Sequence, residues 1–271
     1  MRLLLPDSRT EALAMLAQTP DVVPVAGGTD VLVNWPTRVA EHDRTYLDLS
    51  PLGDLRGLRW EADELVLGGL ATYWDVIRDP RAAQQLPLLV QAARLVGSVQ
   101  IQARGTWAGN IVNGSPAADG VPALMAYDAV VVLESIRGRV EVPLADFYRG
   151  YKAMHRASDE LVVAIRVPRR AYALQRFIKV GSRRAQAIAK VGIALTRSAA
   201  GWRVVAASVA PTIRRCPTLE RLLAAGAALR SPDDLLPAID QDVTPIDDIR
   251  SSAAYRRRVM ARVLFDAVRA S

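Results

Sequence analysis

The sequence predicts an α+β fold, and three observations carry that prediction. Beyond Pro168, three extended segments follow one another and three helical segments come after them, the order of an α+β module rather than of alternating βαβ units. Neither glycine-rich loop reads G-x-G-x-x-G, and no G-x-x-x-x-G-K-[ST] occurs, which argues against a Rossmann turn and a P-loop. Two glycine-rich loops about eighty residues apart instead suit a nucleotide held by loops.

In order along the chain, Ser8-Arg9-Thr10-Glu11 is a capping-box pattern ahead of Ala12, Leu13, Leu16 and Ala17 at helical spacing. The apolar run 22–26 reads as a strand that feeds the first glycine loop, and 29–35 reads as the start of a helix. Segments 46–49 and 65–67 read as short strands, 73–77 and 84–96 as helices. Segments 129–133 and 140–142 form a hairpin around Arg137-Gly138, and 161–167 is a strand stopped by Pro168. After a boundary placed near 170 come strands 174–180, 191–196 and 202–209, then helices 219–229, 233–240 and 253–268.

Composition bounds the chemistry. At 271 residues, half of them apolar, the chain can bury a large core without disulfides. Its single cysteine, Cys216, permits no internal disulfide and no protein-held iron–sulfur cluster, which needs about four thiolates. His42 and His155 are too far apart in sequence to suggest a zinc site. Pro6 interrupts the short apolar start, and no apolar run approaches a membrane span of about twenty residues. The resulting expectation is a soluble cytoplasmic protein. The net charge of +7 raises nucleic-acid binding. Against it, the arginines are dispersed without interleaved aromatics, and only Lys152, Lys179 and Lys190 are lysines.

The first glycine loop is Val25-Ala26-Gly27-Gly28-Thr29-Asp30, and the second runs Gly105-Thr106-Trp107-Ala108-Gly109-Asn110 and on through Asn113-Gly114-Ser115-Pro116 to Asp119. Glycine tolerates positive φ, so such loops can turn several N–H groups toward one point and make a concave anion site. Either loop alone could be only a tight turn. Asp119 by itself would read as a helix cap, and Lys179 as a surface charge at a strand end.

Together the two loops resemble the double FAD-binding signature of the medium, flavin-carrying subunit of molybdenum hydroxylases, the xanthine dehydrogenase and carbon monoxide dehydrogenase family. The resemblance extends to Gly68-Gly69-Leu70-Ala71-Thr72, to 97–106, to Glu160-Leu161-Val162, to 177–191 and to 248–257, in the family's order. It implies two subdomains of the vanillyl-alcohol oxidase (PCMH) type, about 1–55 and 56–170. A C-terminal three-stranded sheet with helices would follow over 171–271. It implies FAD contacts at Val25, Ala26, Gly27, Gly28, Thr29, Asp30, Val31 and Leu32, and at Thr106, Trp107, Ala108, Gly109 and Asn110. Trp107 must point away from phosphates, and core packing is expected for its indole. By the same resemblance Asp119 meets ribose hydroxyls, the Val162 backbone meets the flavin ring, Lys179 lies near its polar edge, and Ile188 sits on a loop over one face.

For function, the resemblance implies noncovalent FAD on this chain. Molybdopterin would lie on a large partner subunit, and two [2Fe–2S] clusters on a small one. Electrons would pass from those clusters to NAD or another acceptor, during hydroxylation of a purine or other N-heterocycle. No residue reads as a catalytic nucleophile or acid–base pair. Two rivals are a self-sufficient flavin oxidoreductase of the same superfamily and a basic non-enzymatic binding module.

Overall fold

Residues 1–35 and 43–270 are described by a computed structural model; His42 lies outside the described residues. Three parallel strands open the chain, β1 (Arg2–Leu4), β2 (Val23–Val25) and β3 (Thr45–Asp48), in the order β1-β3-β2. Helix α1 (Arg9–Gln18) buries Ala12, Leu13 and Leu16 in a cluster with Leu47, Leu55 and Leu70. Ser8 caps it, accepting the Glu11 N–H at 3.2 Å, but the Glu11 carboxylate takes the N–H of Asp7 and not that of Ser8. Strand β2 delivers the chain to the first glycine loop. Beyond that loop the chain makes only a 3-10 turn, Val31–Asn34, not the helix expected over 29–35. Leu32 and Val33 are exposed, so burial does not favour an α-helix over 31–35.

A five-stranded antiparallel sheet comes next, in the order β4-β5-β10-β6-β7. Its strands are β4 (Leu58–Trp60), β5 (Glu64–Gly68), β6 (Val130–Ser135), β7 (Gly138–Pro143) and β10 (Leu161–Pro168). The β6–β7 hairpin turns where expected, and β10 ends on Pro168. Between β5 and β6 lie six helices: α2 (Tyr73–Arg78), α3 (Pro80–Gln85), α4 (Pro87–Leu95), α5 (Val99–Arg104), α6 (Trp107–Asn113) and α7 (Gly120–Ala126). The helix expected over 84–96 is two helices. Pro87 has no N–H to continue α3 and instead occupies the first turn of α4. Helices α5 to α7 are not expected from the sequence: α5 is a single short turn and a half between Ser98 and Gly105, and the glycines of α6 and α7 with the asparagines of α6 read as loop. Burial overrides that propensity: every residue of α7 is buried. A two-stranded hairpin, β8 (Tyr148–Gly150) and β9 (Ala153–Met154), precedes β10.

The C-terminal sheet has four strands, β11 (Tyr172–Val180), β12 (Val191–Ser198), β13 (Gly201–Ala207) and β14 (Arg214–Arg215), in sequence order. The sequence predicts three. The fourth is two arginines long, with no apolar period to betray it, and Arg215 is braced by Glu220 at 2.7 Å. Alternation assigns the two faces. Ile193, Leu195, Val204 and Ala206 pack with helices α8 (Pro217–Ala224), α9 (Leu236–Asp242) and α10 (Ala253–Arg269). Ala194, Val205 and Ala207 face the core that contains α4 and α7. There the Thr196 hydroxyl donates to the Ala126 carbonyl at 3.0 Å. Helix α8 is shorter than the expected 219–229, with Gly226 at a φ of +67° just beyond it.

Candidate functional site

Strand β2 and the start of α6 bring the two glycine loops together at the rim of a cleft of about 610 Å³. The approach is too close for side chains. A Cβ on Gly27 would lie 1.8 Å from the Arg104 carbonyl oxygen and 3.1 Å from the Cα of Gly105. Gly28 has open space around it and is needed for conformation instead, at a φ of +72°. Gly109 is different again. It sits in the first turn of α6 without a positive φ, and a Cβ there would meet the Thr106 hydroxyl oxygen at 2.8 Å. The loops are also tied by side chains, with Asn113 donating to Asp30 at 3.0 Å.

Of the expected cofactor contacts, Ala26, Gly27, Gly28, Thr29, Asp30, Val31, Thr106, Ala108, Gly109, Asn110 and Val162 line this cleft. Thr106 accepts the Gly109 N–H at 3.0 Å as the cap of α6, which leaves its own hydroxyl proton free to donate. The Asn110 side-chain oxygen is buried here without a hydrogen-bond partner among the described residues. Val162 reaches the cleft because Gly69 lets the strands close. A Cβ on Gly69 would sit 2.4 Å from the Val162 carbonyl oxygen.

Six expected contacts fall elsewhere. Val25 is in strand β2, paired with Asp48, and Leu32 is 62% exposed beyond the cleft. Trp107 is fully buried as core, its indole N–H donating to the Thr72 carbonyl at 3.2 Å, so only its backbone borders the loop. Asp119 and Ile188 line a second cavity of about 490 Å³ together with Ser98, Pro116, Tyr151 and Arg250. Ile101 lines both cavities, which are therefore neighbours. Lys179 lines neither: its ammonium donates to Asp119 at 2.6 Å and to the Leu95 carbonyl at 2.9 Å. Burial outweighs that counter-charge and pushes the Asp119 carboxyl up to about 6.

Sequence reasoning missed Tyr73, Lys152 and Arg156 in the cleft lining. Lys152 sits at the β8–β9 tip with a φ of +53°, where a Tyr-Lys turn carries no signal beyond surface polarity. Arg156 donates to the Glu160 carbonyl at 2.7 Å, and burial lowers its pKa. The one signal for this region was the Glu160-Leu161-Val162 match, which pointed to the strand and not to the arginine.

The cleft is loop-built and glycine-lined, and comparison with known proteins identifies the family. Residues 1–170 match the FAD binding domain in molybdopterin dehydrogenase, and 176–271 match the CO dehydrogenase flavoprotein C-terminal domain. The nicotinate dehydrogenase FAD-subunit of Eubacterium barkeri is 31% identical over 93% of this chain and 89% of its own length. The carbon monoxide dehydrogenase medium chain of Hydrogenophaga pseudoflava is 30% identical over 98% of this chain and 95% of its own. Its solved structure, lacking the Mo-pyranopterin moiety of the molybdenum cofactor, superposes with a TM-score of 0.89 at 30% identity, covering 100% of this chain and 97% of that one. The chain belongs to the family of FAD-binding medium subunits of molybdenum hydroxylases, the flavoprotein components of molybdenum-containing dehydrogenases. Among the described residues no helix is long and apolar enough to cross a membrane.

Proposed function

We propose that this chain carries noncovalent FAD in the glycine-loop cleft. Its role would be to pass electrons from the [2Fe–2S] clusters of a small partner subunit to NAD or another external acceptor. The observation that carries the reading is the junction of the two loops. The bare backbone of Gly27, Gly28 and Gly69, the free hydroxyl proton of Thr106 and the unpartnered Asn110 oxygen form one cradle. In this assignment residues 26–31 and 106–110 hold the pyrophosphate, and the Val162 backbone borders the ring. Thr29 and Thr106 donate hydroxyl hydrogen bonds. Asp119 and Ile188 act from the second cavity, where an acceptor approaches, and Lys179 holds the Asp119 carboxylate from behind. When bound, FAD takes up electrons singly and gives them up in pairs.

The substrate of the complex is then oxidised on a large molybdopterin-binding subunit. A purine or other N-heterocycle is favoured by the Ala-Gln-Ala-Ile-Ala-Lys-Val stretch at 185–191 and by the similarity to a nicotinate dehydrogenase subunit. The domain division is placed near 170. A stable complex needs an interface on the order of 1,600 Å² or more in total.

Purification of the full chain should yield about one FAD per polypeptide, released into the supernatant by acid. Flavin that stays with the precipitate, or FMN in its place, would count against the binding mode. Gly28→Val and Gly109→Val should each abolish flavin retention while circular dichroism shows the fold intact. Co-expression with the molybdopterin-binding and iron–sulfur chains should give a stable heteromer that oxidises an N-heterocycle. Robust substrate oxidation by the flavin chain alone would overturn the assignment.

A further inference from the structure

Ser208 lies just past the end of β13, buried, with a φ of +64°. An L-residue pays on the order of 1 kcal/mol to stay in that region, and it persists only where its surroundings over-determine it. Here all three polar groups of the residue are engaged. Its N–H donates to the Pro116 carbonyl at 2.7 Å. Its hydroxyl donates to the Ala189 carbonyl at 2.8 Å, and its own carbonyl accepts from Arg256 at 2.5 Å. Each bond leads to a different wall of the second cavity. Pro116 stands on the loop from the second glycine motif to Asp119, and Ala189 closes the segment that carries Ile188. Arg256, only 2% exposed, pairs with Asp248 at 2.6 Å. The Asp248 carboxylate in turn accepts the N–H of Arg250, a third wall residue, at 2.8 Å. Three segments remote in sequence are thus referenced to one residue, the 181–190 segment through its hydroxyl and the other two through its backbone.

We propose that Ser208 is a positioning residue for electron delivery: it holds segment 181–190 and the 115–119 loop as the walls of the second cavity, and so sets how external molecules reach the flavin. The inference rests on the reading of the adjoining cleft as the FAD site. Ser208 itself lines neither cavity among the described residues, so its replacement leaves the glycine cradle untouched.

The test uses the full chain with its bound FAD and two variants. Ser208→Ala removes the hydroxyl at unchanged backbone strain. Ser208→Gly removes it and relieves the strain, which offsets part of the stability lost with the hydroxyl's bond. Native trypsin digestion, read by mass spectrometry, reports cleavage after the exposed Arg183 and Arg184 of the held segment. Iodide quenching of flavin fluorescence reports access to the cofactor. Both variants should be cleaved at these two sites about fivefold faster, the change in open population carried by one lost hydrogen bond. Iodide quenching should rise with it at undiminished FAD content. Unchanged cleavage in Ser208→Gly would overturn the proposal. So would faster cleavage spread evenly over all tryptic sites, or faster cleavage with unaltered quenching. A chain that holds no flavin would instead defeat the cofactor reading, while the digestion still reports on the segment.

Discussion

The two neighbouring cavities are built from different materials. Where its two loops meet, the glycine cleft is made of backbone, and the main requirement there is the absence of side chains at Gly27 and Gly69. The second cavity is made of side chains drawn from 97–101, 115–119, Tyr151, 186–188 and Arg250, with Asp119 held from behind by Lys179, sixty residues away in sequence. A backbone-built loop junction depends on local conformation, and its strain does not change with pH. A side-chain-built site depends on burial and charge, and so on protonation.

The largest expected effect comes from that contrast. Lys179→Met keeps the packing volume but leaves Asp119 without its counter-charge, and breaking a buried pair from one side costs about 3–5 kcal/mol. Urea denaturation should show the loss, and adding Asp119→Leu should recover most of it. Wild-type stability in the single variant would mean that charge does not organise the second cavity.

Next comes pH. The folded carboxyl of Asp119 titrates near 6, above its ordinary value of 3.8, so the native state binds the extra proton between those values. Its stabilisation is therefore full below about pH 4 and is lost as pH rises through about 6. The change is on the order of 3 kcal/mol. The stability of the protein relative to an Asp119→Asn variant should fall across that window, and a flat difference would contradict the assignment.

The glycine cleft answers to smaller changes. Gly27→Ala forces a Cβ into the Arg104 carbonyl, an overpacking cost of about 1–3 kcal/mol, with loss of retained flavin. Gly28→Ala meets no neighbour closer than 3.9 Å and should cost only about 1 kcal/mol, for its positive φ. Thermal melts at two pH values sharpen the comparison. The two glycine effects should be the same at pH 4 and pH 7, whereas those at Lys179 and Asp119 should not.

Elements whose signal is local were legible: the Ser8 cap, the β6–β7 hairpin, strands β11 to β13, and α10 with Ser252 accepting the Tyr255 N–H at 3.2 Å. Helices α6 and α7 were not, because Gly109 and Gly120 lower helix propensity and burial offsets it; α5 is too short, at six residues, to show a period. The same division holds within the site. The glycine loops could be picked out because each is contiguous. Lys152 and Arg156 could not, since nothing in a polar hairpin tip says which cavity it overhangs.

Local sequence thus dictated where the chain turns, which positions must lack a side chain and which strands alternate, since those depend on neighbours a few residues away. Only tertiary packing decided that Asp119 and Lys179 meet each other and that Ser208 joins three distant segments. The reason is physical: a long-range pair is selected by the burial it shares, and burial is a property of the folded whole.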